Sequence, residues 1–125
     1  MQQKLIYLVD DDEAVRDSIR MLLEANEFIV HDFSSGAQLL ERNGGEGADC
    51  LLLDVHMAGL SGLELLELLR KRGIDVPVVV LTGRFDDVIA DRLSKAGASA
   101  ILQKPTESGA LIHAIDAAIK KGSIQ

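Results

Sequence analysis

Short apolar runs alternate with helically spaced apolar residues along this chain, and that alternation leaves few folds open. Leu5–Val9, Cys50–Leu53, Val76–Leu81 and the shorter Ala100–Leu102 carry no charged residue. A strand that is apolar throughout is buried on both faces, the situation of a parallel sheet covered by helices. Pro77 stands near the start of its run, where a missing N–H does least harm. Phe28–Phe33 alternates weakly and reads as an edge strand. Between these runs, Val15, Ile19, Leu22 and Leu23 recur at i, i+4, i+7 and i+8. They predict a helix with one buried face, ending near Asn26, a residue that tolerates a left-handed cap. Ala37–Arg42 is a shorter helix, and Asn43–Gly47 is a loop by composition. Ser61 and Glu64 form a capping-box pattern before a leucine-rich helix, which stops at Arg70-Lys71-Arg72-Gly73. Ile89, Leu93 and Ala96 mark a fourth helix ended by Gly97; Leu111, Ile115, Ala118 and Ile119 mark a last one.

The order is β-α five times over, which implies a parallel sheet with helices on both faces. Right-handed crossovers restrict the topology. The expected fold is α/β, a doubly wound flavodoxin-like (βα)5 three-layer arrangement with strand order 2-1-3-4-5. Ligands of such sheets bind at the carboxyl ends of the strands, where the order reverses, here between the first and third strands.

Composition limits what that crevice receives. The 125 residues include 20 acidic and 13 basic ones, so the net charge is 13 − 20 = −7. The length fits one domain. The acid surplus argues against direct nucleic acid binding, which needs a basic footprint, and against an anionic membrane. A single cysteine, Cys50, excludes an intramolecular disulfide and fits a reducing compartment. Leu5–Val9 is too short for a signal peptide, and no apolar run approaches a membrane span, so a cytoplasmic domain is expected.

The strand ends deliver chemistry to one rim. The first run ends in Asp10-Asp11-Asp12, the third in Asp54, the fourth in Thr82-Gly83 and the fifth in Lys104-Pro105. Converging acids repel unless a cation sits among them. Lys104 supplies one charge, and an oxygen-only cluster with room for water suits Mg²⁺. A carboxylate can act as a nucleophile and form an aspartyl phosphate, and phosphoryl transfer needs mainly positioning and charge neutralisation. Asp54, alone at the end of a buried strand, is the nucleophile candidate. Asp10 and Asp11 are placed to hold metal. Asp12 reads more simply as the N-cap of the first helix. Thr82-Gly83 alone is an ordinary turn pair, and Lys104 gains weight only from its company.

Together these residues resemble the receiver domain of two-component response regulators. The pieces are Val9-Asp10-Asp11, Asp54-Val55-His56-Met57 with Gly59 and Gly62, Leu81-Thr82-Gly83, Ala96-Gly97-Ala98, and Lys104-Pro105. The resemblance covers the chain as a single receiver over 1–125, core about 4–120, with no effector domain visible in this sequence. It implies that Asp54 accepts a phosphoryl group from a sensor histidine kinase or phosphotransfer protein. It implies Mg²⁺ held by Asp10, Asp11, Asp54 and the backbone carbonyl of His56. Thr82 would hydrogen-bond the phosphoryl group, and Lys104 would pair with one of its oxygens, across a Lys104–Pro105 peptide that is often cis in the family. Such a domain phosphorylates itself and hydrolyses slowly; it is not a turnover enzyme. His56 and Arg84, two residues beyond Asp54 and Thr82, would tune that hydrolysis. An output partner or a homodimer would use the fourth helix, fifth strand and fifth helix.

The chain departs from the family pattern at three positions. Ala58 stands where proline is common, Ile101 where an aromatic switch residue is common, and Thr106 where Phe is frequent. Ile101 has no large ring to move between two positions. His31 and His113 read as surface or structural residues. Three other functions share parts of the pattern. A flavodoxin-type cofactor binder would want glycines and hydroxyls after the first strand, where this chain has aspartates. An Asp-nucleophile phosphatase of the haloacid dehalogenase type would want D-x-D-x-T and a cap domain. A non-catalytic interaction module on a receiver scaffold would not need the metal and phosphoryl residues.

Overall fold

A computed structural model describes residues 3–84 and 86–123. Strands β1 (Leu5–Val9), β2 (Ile29–Phe33), β3 (Cys50–Asp54), β4 (Val78–Thr82) and β5 (Ala100–Gln103) alternate with helices α1 (Glu13–Ala25), α2 (Gly36–Glu41), α3 (Gly62–Lys71), α4 (Asp87–Lys95) and α5 (Ser108–Ser123). All neighbouring strands are parallel, in the order β2-β1-β3-β4-β5. This is the expected doubly wound sheet.

Strand residues alternate between two cores because successive side chains point to opposite faces. Ile6, Leu8, Cys50, Leu52, Val79 and Leu81 pack with Leu23 of α1 and Leu111 and Ile115 of α5. Tyr7, Val9, Leu51, Leu53, Val78 and Val80 pack with Leu39 of α2, Leu65, Leu66 and Leu69 of α3, and Leu93 of α4. The unbroken apolar runs of β1, β3 and β4 are the consequence of covering both faces.

The sequence reading put Asp54 and Thr82 at the ends of their strands, and they are the last residues of β3 and β4. Their Cα positions are set by the ladder, Asp54 opposite Leu81 and Thr82 opposite Gln103. Pro77 falls just before β4, and its carbonyl accepts a hydrogen bond from the amide of Leu51 at 2.8 Å. At the other end, α5 runs to Ser123.

Helix termini follow the sequence with one correction. Asp12 caps α1, accepting from Val15 N–H, and Ser61 and Glu64 form the full capping box of α3. Asp86 caps α4 by accepting from Val88 and Ile89 N–H, a cap the sequence reading did not single out. At the end of α1, Asn26 is not left-handed; its φ is −99°. Glu27 takes that conformation instead, at φ 69°. The reason lies in the hydrogen bonds. The amides of Glu27 and Phe28 return to the carbonyls of Glu24 and Leu23, which puts the left-handed residue one place later and lets Phe28 pack on Leu23. Gly73 and Gly97 occupy the equivalent position after α3 and α4. Among the described residues, no helix is long and apolar enough to cross a membrane.

Candidate functional site

Asp10 leaves β1 directly and is fully buried. It is held at four points. Its N–H donates to the carbonyl of Phe33 at 3.2 Å, and its carbonyl accepts from Nη1 of Arg16 at 2.8 Å. Its Oδ1 accepts from Asp12 N–H at 2.9 Å, and its Oδ2 accepts from Nζ of Lys104 at 3.4 Å. Arg16 also faces Asp32 of β2, Nε to Oδ2 at 3.7 Å, so one guanidinium braces the β1–α1 turn against the neighbouring strand.

Asp54 is nearly as buried as Asp10. Its Oδ1 accepts from His56 N–H at 3.1 Å and its Oδ2 from Lys104 at 3.1 Å. Lys104 follows β5, and its own amide donates to the carbonyl of Thr82 at 2.7 Å, which fixes the root of its side chain beside β4. The Lys104–Pro105 peptide is cis. Asp11 is exposed, and its Oδ2 accepts from Ala58 N–H at 3.0 Å. One ligand oxygen from each of Asp10, Asp11 and Asp54 lies within 4.8 Å of the others.

Gly62 is required by packing at the same place. A Cβ there would strike the carbonyl oxygen of Asp54 and lie 2.9 Å from Cα of Val55. The glycine lets α3 begin against the end of β3, and its amide donates to the carbonyl of Val55 at 3.0 Å.

Charge in the cluster is unbalanced. Two unit charges at this separation repel by about 3 kcal/mol at an effective dielectric near 20. Burial raises the Asp10 carboxyl above its ordinary value, and the Asp12 amide and the Lys104 ammonium offset this only in part. Burial also works against the charge of Lys104. The hydrogen bond and charge of Asp54, followed by those of Asp10, outweigh it and hold the ammonium above its ordinary value. One ammonium thus serves two carboxylates, more closely Asp54, and does not touch the third. Hard oxygen donors carrying excess negative charge are the donor set a small divalent cation such as Mg²⁺ prefers. The acidic pocket therefore fits the metal expected from the sequence.

The hydroxyl of Thr82 donates to the carbonyl of Arg84 at 2.6 Å, and its oxygen lies 3.3 Å from Nε2 of His56. Thr82 itself is buried. Behind it, Ile101 lines a hollow of about 10 Å³ with Ile89 and Leu93, room for roughly one water and none for an aromatic ring. His31 stacks on Tyr7 with ring centroids 5.6 Å apart, a packing role. His113 lies exposed on α5. Neither joins the acid cluster.

The predicted residues Asp10, Asp11, Asp54 and Lys104 thus converge, with Thr82 and His56 at their edge. Sequence reasoning missed the Arg16 brace and the Ala58 amide. Arg16 gave no signal beyond its place in the second turn of α1. A backbone amide carries no signal of residue type, except that proline lacks it.

A model of the response regulator receiver domain family matches residues 6–116. The chain belongs to that family. The receiver is 38% identical over 120 residues to the transcriptional regulatory protein FixJ of Azorhizobium caulinodans, covering 96% of this chain and 57% of that protein. Among solved structures, it superposes on the crystal structure of FixJ-N with a TM-score of 0.88 at 35% identity, covering 96% of each chain. It superposes on response regulator StyR with a TM-score of 0.88 at 37% identity, covering 96% of this chain and 61% of that one. The receiver therefore spans a little over half of the curated FixJ relative. It is a phosphoacceptor signalling domain, and the flavodoxin-type cofactor binder, the Asp-nucleophile phosphatase and the non-catalytic interaction module are not favoured.

Proposed function

We propose that Asp54 is the phosphoryl acceptor of this receiver, with Mg²⁺ held by Asp10, Asp11, Asp54 and the carbonyl of His56. The observation that carries this is the convergence of three carboxylates and one ammonium on the carboxyl edge of the sheet, with Asp54 the acid that lies on a strand end. The bound cation supplies neutralisation of phosphoryl charge. The chain's own groups do the rest. His56 N–H and Lys104 orient the Asp54 carboxylate. Lys104 then transfers its contact from Asp54 to an oxygen of the attached group. Thr82 exchanges the Arg84 carbonyl for another oxygen, and that rotation is the start of the conformational signal. His56 and Arg84 flank the group and set how fast it hydrolyses. The donor is a sensor histidine kinase or phosphotransfer protein in the cytoplasm. The signal leaves through an output partner or a second copy at α4, β5 and α5.

Incubation with acetyl phosphate, with and without Mg²⁺, tests the assignment by intact mass. A gain of one phosphoryl group is expected in the wild type only with Mg²⁺, and none in Asp54→Asn. A gain without metal, or one that survives in Asp54→Asn, would overturn it. Replacing His56 or Arg84 is expected to change the lifetime of the modified form; equal decay in all three proteins would remove their tuning role.

A further inference from the structure

Asp11 differs from the other two carboxylates of the cluster. It is exposed, Lys104 does not reach it, and two buried acids stand beside it. An exposed carboxylate so placed gains by swinging into water, away from its neighbours. It is instead held within the cluster, and among the described residues its carboxylate makes one hydrogen bond, to the amide of Ala58 at 3.0 Å. That bond spans 47 positions of sequence and ties the β1–α1 turn to the β3–α3 loop. The side chain of Ala58 is a single methyl group, so what this position contributes to the site is its N–H. Every residue except proline has one.

We infer that the Ala58 amide is a positioning group for the metal site: it holds Asp11 in the cluster before a cation arrives. The amide is a dipole with its positive end on the carboxylate, and it contributes partial positive charge where the lysine contributes none. It leaves the other carboxylate oxygen of Asp11 available. A cation entering the site then finds three oxygen donors gathered and does not have to recruit the exposed one from solvent. Holding a ligand in place in this way raises metal affinity.

The inference rests on the metal reading above, and Mg²⁺ titration by calorimetry tests the two separately. Wild type, Ala58→Pro, Ala58→Ser, Asp11→Asn and the Ala58→Pro/Asp11→Asn pair are compared. Ala58→Pro is expected to weaken Mg²⁺ binding by roughly tenfold. Ala58→Ser keeps the donor and is expected to bind as wild type does. In the Asp11→Asn background the proline is expected to have no further effect. Unchanged or tighter binding by Ala58→Pro overturns the inference while leaving the metal reading intact; a wild type that binds no Mg²⁺ overturns both. A merely structural role for Ala58 would alter melting in metal-free buffer and leave affinity alone. Amide hydrogen exchange covers the case of a proline variant that does not fold. The Ala58 amide is expected to be protected in metal-free wild type and to lose that protection in Asp11→Ala. An unprotected Ala58 amide in wild type overturns the inference.

Discussion

The ammonium of Lys104 lies 3.1 Å from Oδ2 of Asp54, joining the ends of β5 and β3 across β4, which separates them in the sheet. The same group reaches Asp10 at 3.4 Å. Both carboxylates are buried, so the lysine is the protein's own substitute for a bound cation.

Two substitutions in this cluster are expected to act with opposite sign. Lys104→Met leaves two buried carboxylates without a cation and should destabilise the metal-free protein by about 2 kcal/mol, below the usual cost of breaking a fully buried pair because the lysine is partly exposed. Asp10→Asn removes the acid that burial penalises and should stabilise it. The pH dependence follows from the raised Asp10 carboxyl. Its folded value lies above its unfolded one, so its ionisation opposes folding at neutral pH, and that penalty disappears as pH falls through the folded value. Urea melts in chelator should show the advantage of Asp10→Asn shrinking on acidification. An advantage independent of pH would contradict the assignment.

Glu27 pays a backbone penalty that Gly73 and Gly97 avoid at the matching position of their helices. A left-handed residue with a Cβ costs roughly 1–2 kcal/mol, and part of that is offset by the greater freedom of glycine in the unfolded chain. Glu27→Gly is therefore expected to stabilise the fold by about 0.5–1 kcal/mol. Thermal melting at fixed pH checks this, and a lower melting temperature would count against it.

Gly62→Ala places a methyl group against the carbonyl of Asp54. Backbone on both sides cannot yield as a flexible side chain would, so α3 must move off the end of β3. A loss of about 1–3 kcal/mol is expected, as for other overpacked sites. The end of β3 that carries Asp54, the proposed acceptor, shifts with it, so phosphorylation by acetyl phosphate should slow even in the fraction that remains folded. An unchanged rate per folded molecule would show that Asp54 is insensitive to the start of α3.

Burial pushes the Cys50 thiol up to about 12, from an ordinary value of 9.0. The unfolded chain then releases a proton above pH 9 that the folded chain keeps, so stability falls as pH rises, by up to about 1.4 kcal/mol per pH unit. Cys50→Ala should flatten that decline between pH 9 and the onset of lysine titration. Parallel declines in the two proteins would refute it.

The parts of this protein legible in its sequence were those written in side-chain type. Apolar runs without charge disclosed a sheet covered on both faces, and Asp10, Asp54 and Lys104 stood out because charged residues at the ends of such runs have few structural uses. The backbone was less legible. Nothing in the string distinguishes Asn26 from Glu27 as the left-handed residue, because hydrogen bonds returning to Leu23 and Glu24 decide it. Ala58 was visible only as an absent proline, and Arg16 only as a polar residue on a helix. Their partners are the amide and carbonyl groups that every residue carries, and these acquire meaning only when the chain has folded.

The register of β3 against β4 has a consequence for quality control. Asp54 is paired with Leu81 inside the ladder, so its direction is fixed by strand alignment and not by a loop. Side chains alternate faces along a strand, and a slip of one position would turn this carboxylate into a helix-covered layer. If Asp54 is the acceptor proposed above, a misaligned sheet would thus be mute as well as unstable, and only correctly folded molecules would be open to phosphorylation.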